Sequence, residues 1–216
     1  MAPIIKVSNE DLEAFNPLGM EYILREGSKP AETRDSFIYV PSRKLEIAKE
    51  RTHYSKNWFQ THDALKNEGS RMLTPSEFVN FLNYLRENPS GENNEIFNDI
   101  TQVRSPGRAE WLDAYFEKRE DGLWILTGNK TKAEKLEACL MKNRIPGISL
   151  DNWLKNPTYQ GLPRSKISQG ELYYGCPRSG GVAGFLADSD GALLIYLRDP
   201  DSGDSVLGVR AVKQRK

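Results

Sequence analysis

The segment from Leu172 to Val206 constrains the fold of this chain more than any other part of its sequence. Its 35 residues contain no Lys, Glu, Gln, Met, Trp or Asn, and glycines recur through it. Glycine is the typical residue of tight turns and loops. Pro146 and Gly147 end the preceding predicted helix, and from there to the C-terminus we predict short strands and turns. They end in a firm central strand over Leu207–Val212, where Leu, Val and Ala alternate with other residues.

The same gap has a genetic interpretation. Randomising the first two bases of the Asn codon AAC gives codons that never encode Lys, Glu, Gln, Met or Trp, and the process also depletes Asn. No Asn follows Asn156, whereas the first 156 residues contain fourteen. No requirement of folding excludes Lys and Glu from a segment that admits several Asp and Arg. Two interpretations stay open: a record of mutagenesis, and a glycine-rich, loop-rich segment of biased composition.

Length and charge narrow the class of protein. A chain of 216 residues buries a substantial core, and the absence of repeats, low-complexity tracts and clear linkers favours one domain. The 30 basic and 30 acidic residues cancel, so we expect no nucleic-acid partner. The N-terminus lacks the apolar core of a signal peptide, and no apolar run reaches the length of a membrane span. We therefore expect cytoplasmic synthesis of a soluble protein, and a monomer is compatible with the sequence.

Local signals predict the elements of the N-terminal two thirds. Residues 36–40 and 44–49 are expected to form two short strands around Pro41, followed by a helix over 57–67. Thr74-Pro75-Ser76-Glu77 has the pattern of a capping box and predicts a second helix. Its apolar face contains Phe78, Phe81, Leu82 and Leu85.

Two further elements are predicted before the glycine-rich segment. Asp121-Gly122 closes a hairpin between strands at 110–117 and 123–127, although a helix through Trp111–Phe116 is an alternative. Thr131-Lys-Ala-Glu134 is a second capping-box pattern and predicts a helix to about Asn143.

Two separated segments resemble domains of the formylglycine-generating-enzyme type. Gly69-Ser-Arg-Met-Leu-Thr-Pro-Ser-Glu-Phe78 resembles their Gly-x-Arg-Leu-Pro-Thr-x-x-Glu-Trp signature, and Leu207-Gly-Val-Arg210 resembles their closing Leu-Gly-Phe-Arg strand. The resemblance covers roughly residues 36–212. It implies an α+β protein with an elaborated C-type lectin fold, in which two or three helices pack on a twisted antiparallel sheet with much irregular structure. The chain would then be one C-type-lectin-like domain over 1–216, with residues 1–35 as an N-terminal extension.

One branch of that fold is still more similar, namely the variable proteins of diversity-generating retroelements, and in particular those of archaeal viruses. The similar segments are Trp111–Phe116, Tyr173–Gly175, Gly181–Ala183, Gly191–Leu193 and Leu207–Arg210. In such systems a reverse transcriptase corrupts template adenines, so that AAC codons become NNC codons in a C-terminal variable region. The resemblance implies a variable region over 172–212. It also implies a non-catalytic protein without a cofactor that binds a protein or glycan through this region, and a place on a virion surface is compatible with it.

Alternation within Phe185–Asp190 divides the predicted binding residues from the core, because neighbouring side chains in a strand point to opposite sides. Leu186, Asp188 and Asp190 would face outward. Tyr174 and Tyr196 would serve as anchors, since tyrosine offers a large contact area at low entropic cost. A buried strand over 195–197 is the alternative. The full set predicted to be exposed, variable and ligand-binding is Tyr174, Cys176, Arg178, Gly184, Leu186, Asp188, Asp190, Ile195, Tyr196, Leu197, Asp199, Asp201, Gly203, Asp204 and Val206.

Patterns for catalysis and metal binding are incomplete. The acidic segment Asp199–Asp204 would place Arg210 where a calcium loop requires a bidentate Glu, so a solvated turn is expected. Asp188 and Asp190 have no evident base or nucleophile beside them, and His53 and His62 lack the spacing of a zinc site. Ser179–Gly184 lacks the Lys-Ser/Thr of a phosphate loop. We predict neither a metal nor a cofactor.

Two rival functions remain. An oxidase like the formylglycine-generating enzymes needs two cysteines, one of them directly after the Gly-Phe-Arg motif, and Ala211 stands there. Cys176 is the only candidate for the upstream position, and Cys139 and Cys176 are expected to be unpaired thiols. We therefore predict that the protein is not an enzyme. A viral structural or assembly protein is the second rival, because balanced charge suits it equally.

Overall fold

The computed structural model describes residues 36–137, 144–164 and 166–215, which belong to one compact unit. The predicted N-terminal extension over 1–35 lies outside the described residues. The helices and strands have the following bounds in chain order: β1 Phe37–Val40, β2 Leu45–Ala48, α1 Trp58–Asn67, α2 Pro75–Glu87, α3 Gly91–Thr101, β3 Arg108–Arg119, β4 Gly122–Thr127, β5 Lys132–Lys135, β6 Arg144–Ile148, α4 Leu150–Lys155, β7 Leu172–Gly175, β8 Val182–Asp188, β9 Gly191–Arg198, β10 Leu207–Gly208 and β11 Val212–Gln214.

The strands form a small sheet and a large sheet. The small sheet has the order β1-β2-β11 and the large sheet the order β5-β4-β3-β8-β9-β7-β6, with β10 beside β3. All pairs are antiparallel except β7 with β9 and β10 with β3. The chain is therefore an α+β protein with mostly antiparallel sheets, as the sequence predicts at this coarse level.

Several local predictions are confirmed. β1 and β2 form a hairpin, and β3 and β4 form a second one around Asp121-Gly122, so the alternative helix over 111–116 is wrong. Helix α1 begins after Asn57, whose side chain accepts a hydrogen bond from the Gln60 amide. Helix α2 begins after Thr74, which accepts one from the Glu77 amide. In each helix, the cap residue and the residue three positions later exchange both hydrogen bonds of a capping box.

The predicted helix over 131–143 is wrong in its described part. Residues 132–135 form the exposed strand β5, paired with β4, and residues 138–143 lie outside the described residues. The Thr131 hydroxyl donates to the Gly128 carbonyl instead of capping a helix. Gly128, Asn129 and Lys130 all have positive φ, which makes a tight turn that returns the chain antiparallel. The apparent capping box is part of this turn.

The structure differs from the predictions at two helices and at the closing strand. Helices α3 and α4, capped by Ser90 and Ser149, were not predicted. The predicted closing strand is divided: β10 pairs with β3 in the large sheet, whereas β11 pairs with β2 in the small one. Between them Val209 bridges to Thr52. The closing segment thus connects the two sheets and does not form a single central strand.

Two apolar clusters lie on opposite faces of the large sheet, since strand pleating separates alternate side chains. The main cluster includes Phe116, Phe185 and Leu194 with the inward side chains of α2. The second includes Trp111, Val182 and Leu207, with Trp58 of α1 packed on them. Along β8 the two clusters take alternate residues. No helix among the described residues is long and apolar enough to cross a membrane.

Two arginines of the signature segments have well-defined partners. Arg71 donates to both carboxylate oxygens of Glu77 at 2.7 Å, and Glu77 also accepts the Thr74 amide at the start of α2. Burial raises the pKa of Glu77, but the hydrogen bonds and charge of Arg71 outweigh it and hold the pKa below its usual value. Arg210 is almost fully buried and donates to Glu110 at 2.9 Å and to Asp99 at 3.1 Å.

Candidate functional site

The compositionally unusual segment 172–206 contributes three neighbouring strands to the large sheet. It contains β7, β8 and β9, and the sheet order places β9 between the other two. The hairpin pairing of β8 with β9 is local, but β7 pairs in parallel with β9, from which the loop of residues 176–181 and the whole of β8 separate it in sequence. A segment identified only by its composition is therefore also one continuous surface of the fold.

Strand register determines which side chains share the outward side. Leu193 of β9 pairs with Leu186 of β8 and with Tyr173 of β7, and Ile195 pairs with Gly184 and Gly175. We call the resulting surface the outer face, and its large side chains are Tyr173, Leu186, Leu193, Ile195 and Leu197. Tyr173 is 37% exposed, and the other four are half-buried. A continuous group of partly exposed apolar side chains is typical of a contact surface.

Glycines bring these large side chains down onto the sheet. A Cβ atom at Gly175 would lie 3.1 Å from Cδ2 of Leu197, so the leucine extends across the neighbouring strand. A Cβ atom at Gly191, which has a φ of +144°, would lie 2.6 Å from Cε2 of Tyr173. Larger residues at these two positions would displace the side chains above them. The outer face is consequently shallow.

Three aspartates each close a turn at the end of β8, directly after β9 or in the loop that follows, and we call these turns the acidic rim. The Asp188 carboxylate accepts the Asp190 amide at 2.9 Å, Asp199 accepts the Asp201 amide at 2.9 Å, and Asp204 accepts the Val206 amide at 3.0 Å. Short aspartate side chains favour such turns because they satisfy a backbone donor locally. Among the described residues no three His, Cys, Asp or Glu side chains converge as metal ligands would. The rim is thus a set of acidic turns.

The predicted exposure is wrong for Tyr174, Gly184 and Tyr196. Tyr174 is 2% exposed and Tyr196 is fully buried, with their ring centroids 6.0 Å apart on the inner side of the sheet. Three consecutive residues of a strand cannot face one side, so Tyr196 points inward between Ile195 and Leu197. The alternative of a wholly buried strand over 195–197 is also wrong, because these two neighbours are half-buried. Gly184 lies beneath Ile195 and the Glu110 carbonyl.

The other predicted positions are at least partly exposed. Arg178, Asp190, Asp199, Asp201, Gly203 and Asp204 are exposed, whereas Cys176, Leu186, Asp188, Ile195, Leu197 and Val206 are half-buried. Tyr173 and Leu193 belong to the outer face but were not predicted to bind. The alternation of Leu193, Ile195 and Leu197 along β9 is the signal that identifies Leu193, and β7 pairing is needed to add Tyr173.

The two histidines have structural surroundings. His62 is buried, with its Nε2 3.3 Å from Oδ1 of Asp113 and its ring 4.1 Å from the Trp58 ring. The other Asp113 oxygen accepts the Gly128 amide at 2.7 Å. This arrangement joins α1 to the irregular part of β3. His53 lies 3.2 Å from Glu68 near the surface.

The buried hydroxyls of Tyr174 and Tyr196 have no hydrogen-bond partner among the described residues. An unsatisfied buried hydroxyl costs free energy. We expect Tyr196→Phe to raise the free energy of unfolding by about 1 kcal/mol, measured by urea denaturation. Tyr173→Phe, on the exposed face, is the matched control and should have little effect. A loss of stability in Tyr196→Phe would show that the hydroxyl is satisfied.

The same tyrosines predict the behaviour of the protein at alkaline pH. Burial raises the pKa of Tyr196 well above its usual value, and it also raises the pKa of Tyr174. The stability linked to keeping them neutral is fully present below the unfolded-state pKa of about 10 and is lost as the pH rises from there towards the folded-state pKa. The stability of the natural protein should therefore fall above about pH 10, and it should fall less steeply in Tyr196→Phe.

The function has to be inferred from the geometry of the site, because comparison with known proteins finds no match. No family model, curated protein or solved structure matches this chain. The outer face and its acidic rim are therefore the basis for a functional proposal.

Proposed function

We propose that this chain is a non-catalytic recognition protein that binds a macromolecular partner through the outer face. The observation that carries the proposal is the coincidence of two independent features. Segment 172–206 is set apart by its composition, and the same segment supplies three adjacent strands with a half-exposed apolar surface. A biased loop segment has no reason to supply one continuous face.

The physical character of the outer face suits binding. Tyr173, Ile195 and Leu197 offer apolar area that a partner would remove from water, and such central apolar anchors dominate interface energies. The aspartates of the acidic rim would steer and orient a partner with basic groups. The inner residues of the same strands are packed in the main cluster, so the surface is held on a rigid sheet.

Diversification by a retroelement is part of the same proposal. We expect exchange of the outer side chains to cost less stability than exchange of the inward ones, because the outer side chains are half-buried or exposed and their truncation leaves no closed cavity. All residue types of the segment are compatible with NNC codons.

The scaffold in this proposal is the C-type lectin fold of the formylglycine-generating-enzyme type. The paired signature arginines support it: Arg71 secures the start of α2 through Glu77, and Arg210 ties the closing segment to β3 through Glu110. Both segments lie outside the outer face. Substitution on the face thus leaves these ion pairs intact.

A pair of display libraries tests the proposal. One library places NNC codons at Leu186, Asp188, Asp190, Ile195 and Leu197, and the matched library places them at the inward positions Ala183, Phe185, Ala187, Leu194 and Tyr196. We expect most members of the outward library, and few of the inward library, to survive protease treatment as folded protein. Selection on panels of soluble proteins and glycans should then yield binders from the outward library. Equal survival of both libraries, or no binders among folded outward variants, would contradict the proposal.

A further inference from the structure

A groove of about 980 Å³ opens at the end of the sheet beside the β8–β9 turn, and its lining joins Tyr173 and Gly191 of the outer face to Phe185 and Leu172 of the inner side. We call it the end groove and define it by Leu150, Asp151, Glu171, Tyr173, Phe185 and Asp190, which lie on its walls and floor. The start of α4, the loop before β7 and the β8–β9 turn meet here. Its volume is in the range of pockets that accept one or more side chains of a ligand.

The end groove has an apolar floor and an acidic rim. Phe185 and Leu172 are buried at its base, and three carboxylates, those of Asp151, Glu171 and Asp190, lie above them. The described residues that line it include no Lys, Arg or His. Asp151 is paired with Arg86 at 2.8 Å, whereas no ion pair occupies Glu171 or Asp190 among the described residues. A long basic side chain, with an apolar stem and a charged end, matches this arrangement.

The end groove is continuous with the outer face. Tyr173 and Gly191 line the groove, and the Tyr173 ring lies close over Gly191 on the face. A partner seated on Leu193 and Tyr173 would therefore have its next residues above the groove. Asp190 belongs to the predicted variable region, but Asp151 and Glu171 precede it, so the groove combines diversified and constant walls.

We infer that the end groove binds an arginine or lysine side chain of a protein partner, with Glu171 and Asp190 facing its charged end. This inference rests on the proposed function and deepens it, because it selects a basic protein over a neutral glycan. Glu171 would contribute to every variant's binding, whereas Asp190 would contribute only in variants that carry an acid there.

A peptide titration tests the inference. The full chain, labelled with ¹⁵N, is titrated with the blocked tripeptide acetyl-Leu-Arg-Leu-amide and with its citrulline analogue, which has the same shape without the charge. The arginine peptide should shift the backbone amides of Gly170, Tyr173, Asp190 and Gly191. The citrulline peptide should bind about three- to fivefold more weakly, the range expected for a partly exposed ion pair. Raising the salt concentration should reduce the difference.

Matched variants complete the experiment. Glu171→Gln should weaken binding of the arginine peptide about three- to fivefold, whereas Glu120→Gln, at the exposed turn between β3 and β4, should leave it unchanged. Equal binding of the two peptides, shifts confined to other regions, or an unaffected Glu171→Gln would overturn the inference. If these results occur while the outward library yields binders, the groove inference alone fails. If the arginine peptide binds but the library yields none, the proposed function fails.

Discussion

Replacing Glu110 with Ala should lower the free energy of unfolding by about 3–5 kcal/mol, because it would leave a buried guanidinium without its closest carboxylate. The side chains of Arg210 and Glu110 are 1% and 3% exposed, and Nε of Arg210 lies 2.9 Å from Oε1 of Glu110. Asp99, the second partner of Arg210, is 40% exposed and also pairs with Arg108. It is therefore a poor substitute for the buried Glu110.

Glu117→Ala is the control for this prediction, to be measured with it by chemical denaturation. Glu117 lies on the same strand β3 and pairs with Arg119 at the surface, where both side chains are more than one third exposed. Its removal should cost at most about 1 kcal/mol. The double variant Glu110→Ala, Arg210→Met should recover part of the loss, since the buried Arg210 charge is gone while Arg51, whose Nε lies 3.8 Å from Oε1 of Glu110, still loses this partner. Similar losses in the two single variants would show that Arg210 does not depend on Glu110.

Leu194→Ala should cost about 2–5 kcal/mol of unfolding free energy, whereas Leu193→Ala should cost less than about 1 kcal/mol. The two leucines are neighbours in β9, and the substitution is identical. Leu194 is fully buried in the main cluster, so its truncation leaves a cavity. Leu193 is half-buried on the outer face, so solvent and neighbouring side chains can fill the space.

Binding should show the reverse order. Against a partner selected with the natural outer face, Leu193→Ala should weaken affinity at temperatures where both variants are folded, and Leu194→Ala should change it little. Thermal denaturation and a binding titration on the same samples measure both effects. Equal destabilisation by the two substitutions would mean that the outer face is covered in the folded protein, which would contradict the binding role that we propose for it.

The elements that the sequence predicts correctly are those determined by a few neighbouring residues. The Thr74 capping box and the Asp121-Gly122 turn each need only a few adjacent residues, and both are confirmed. The same pattern at Thr131 fails because the preceding Gly128 turn captures the threonine hydroxyl. The shared Thr-x-x-Glu pattern thus occurs at a helix start in one segment and in a hairpin in the other, where a turn precedes it.

The candidate site is harder to predict, because it is formed by contacts between residues that are distant in sequence. Composition identified segment 172–206, and alternation correctly separated Phe185 from Leu186. The parallel pairing of β7 with β9 brings Tyr173 onto the outer face, and no local pattern predicts it. Exposure of Tyr196 was predicted from its residue type, but strand pleating decides its direction. The end groove combines the start of α4, the loop before β7 and the β8–β9 turn, so it can be recognised only once the chain is folded.

Sequencing this gene from many members of its source population tests the central claim most directly. The account predicts that substitutions concentrate in codons 172–206, at the first two bases of codons that end in C. It also predicts a nearby near-copy of the segment with AAC at the substituted codons. Codons for Arg71, Glu77 and Glu110 should remain constant. Substitutions spread evenly along the gene, or a gene region with neither a near-copy nor a reverse transcriptase, would contradict the account.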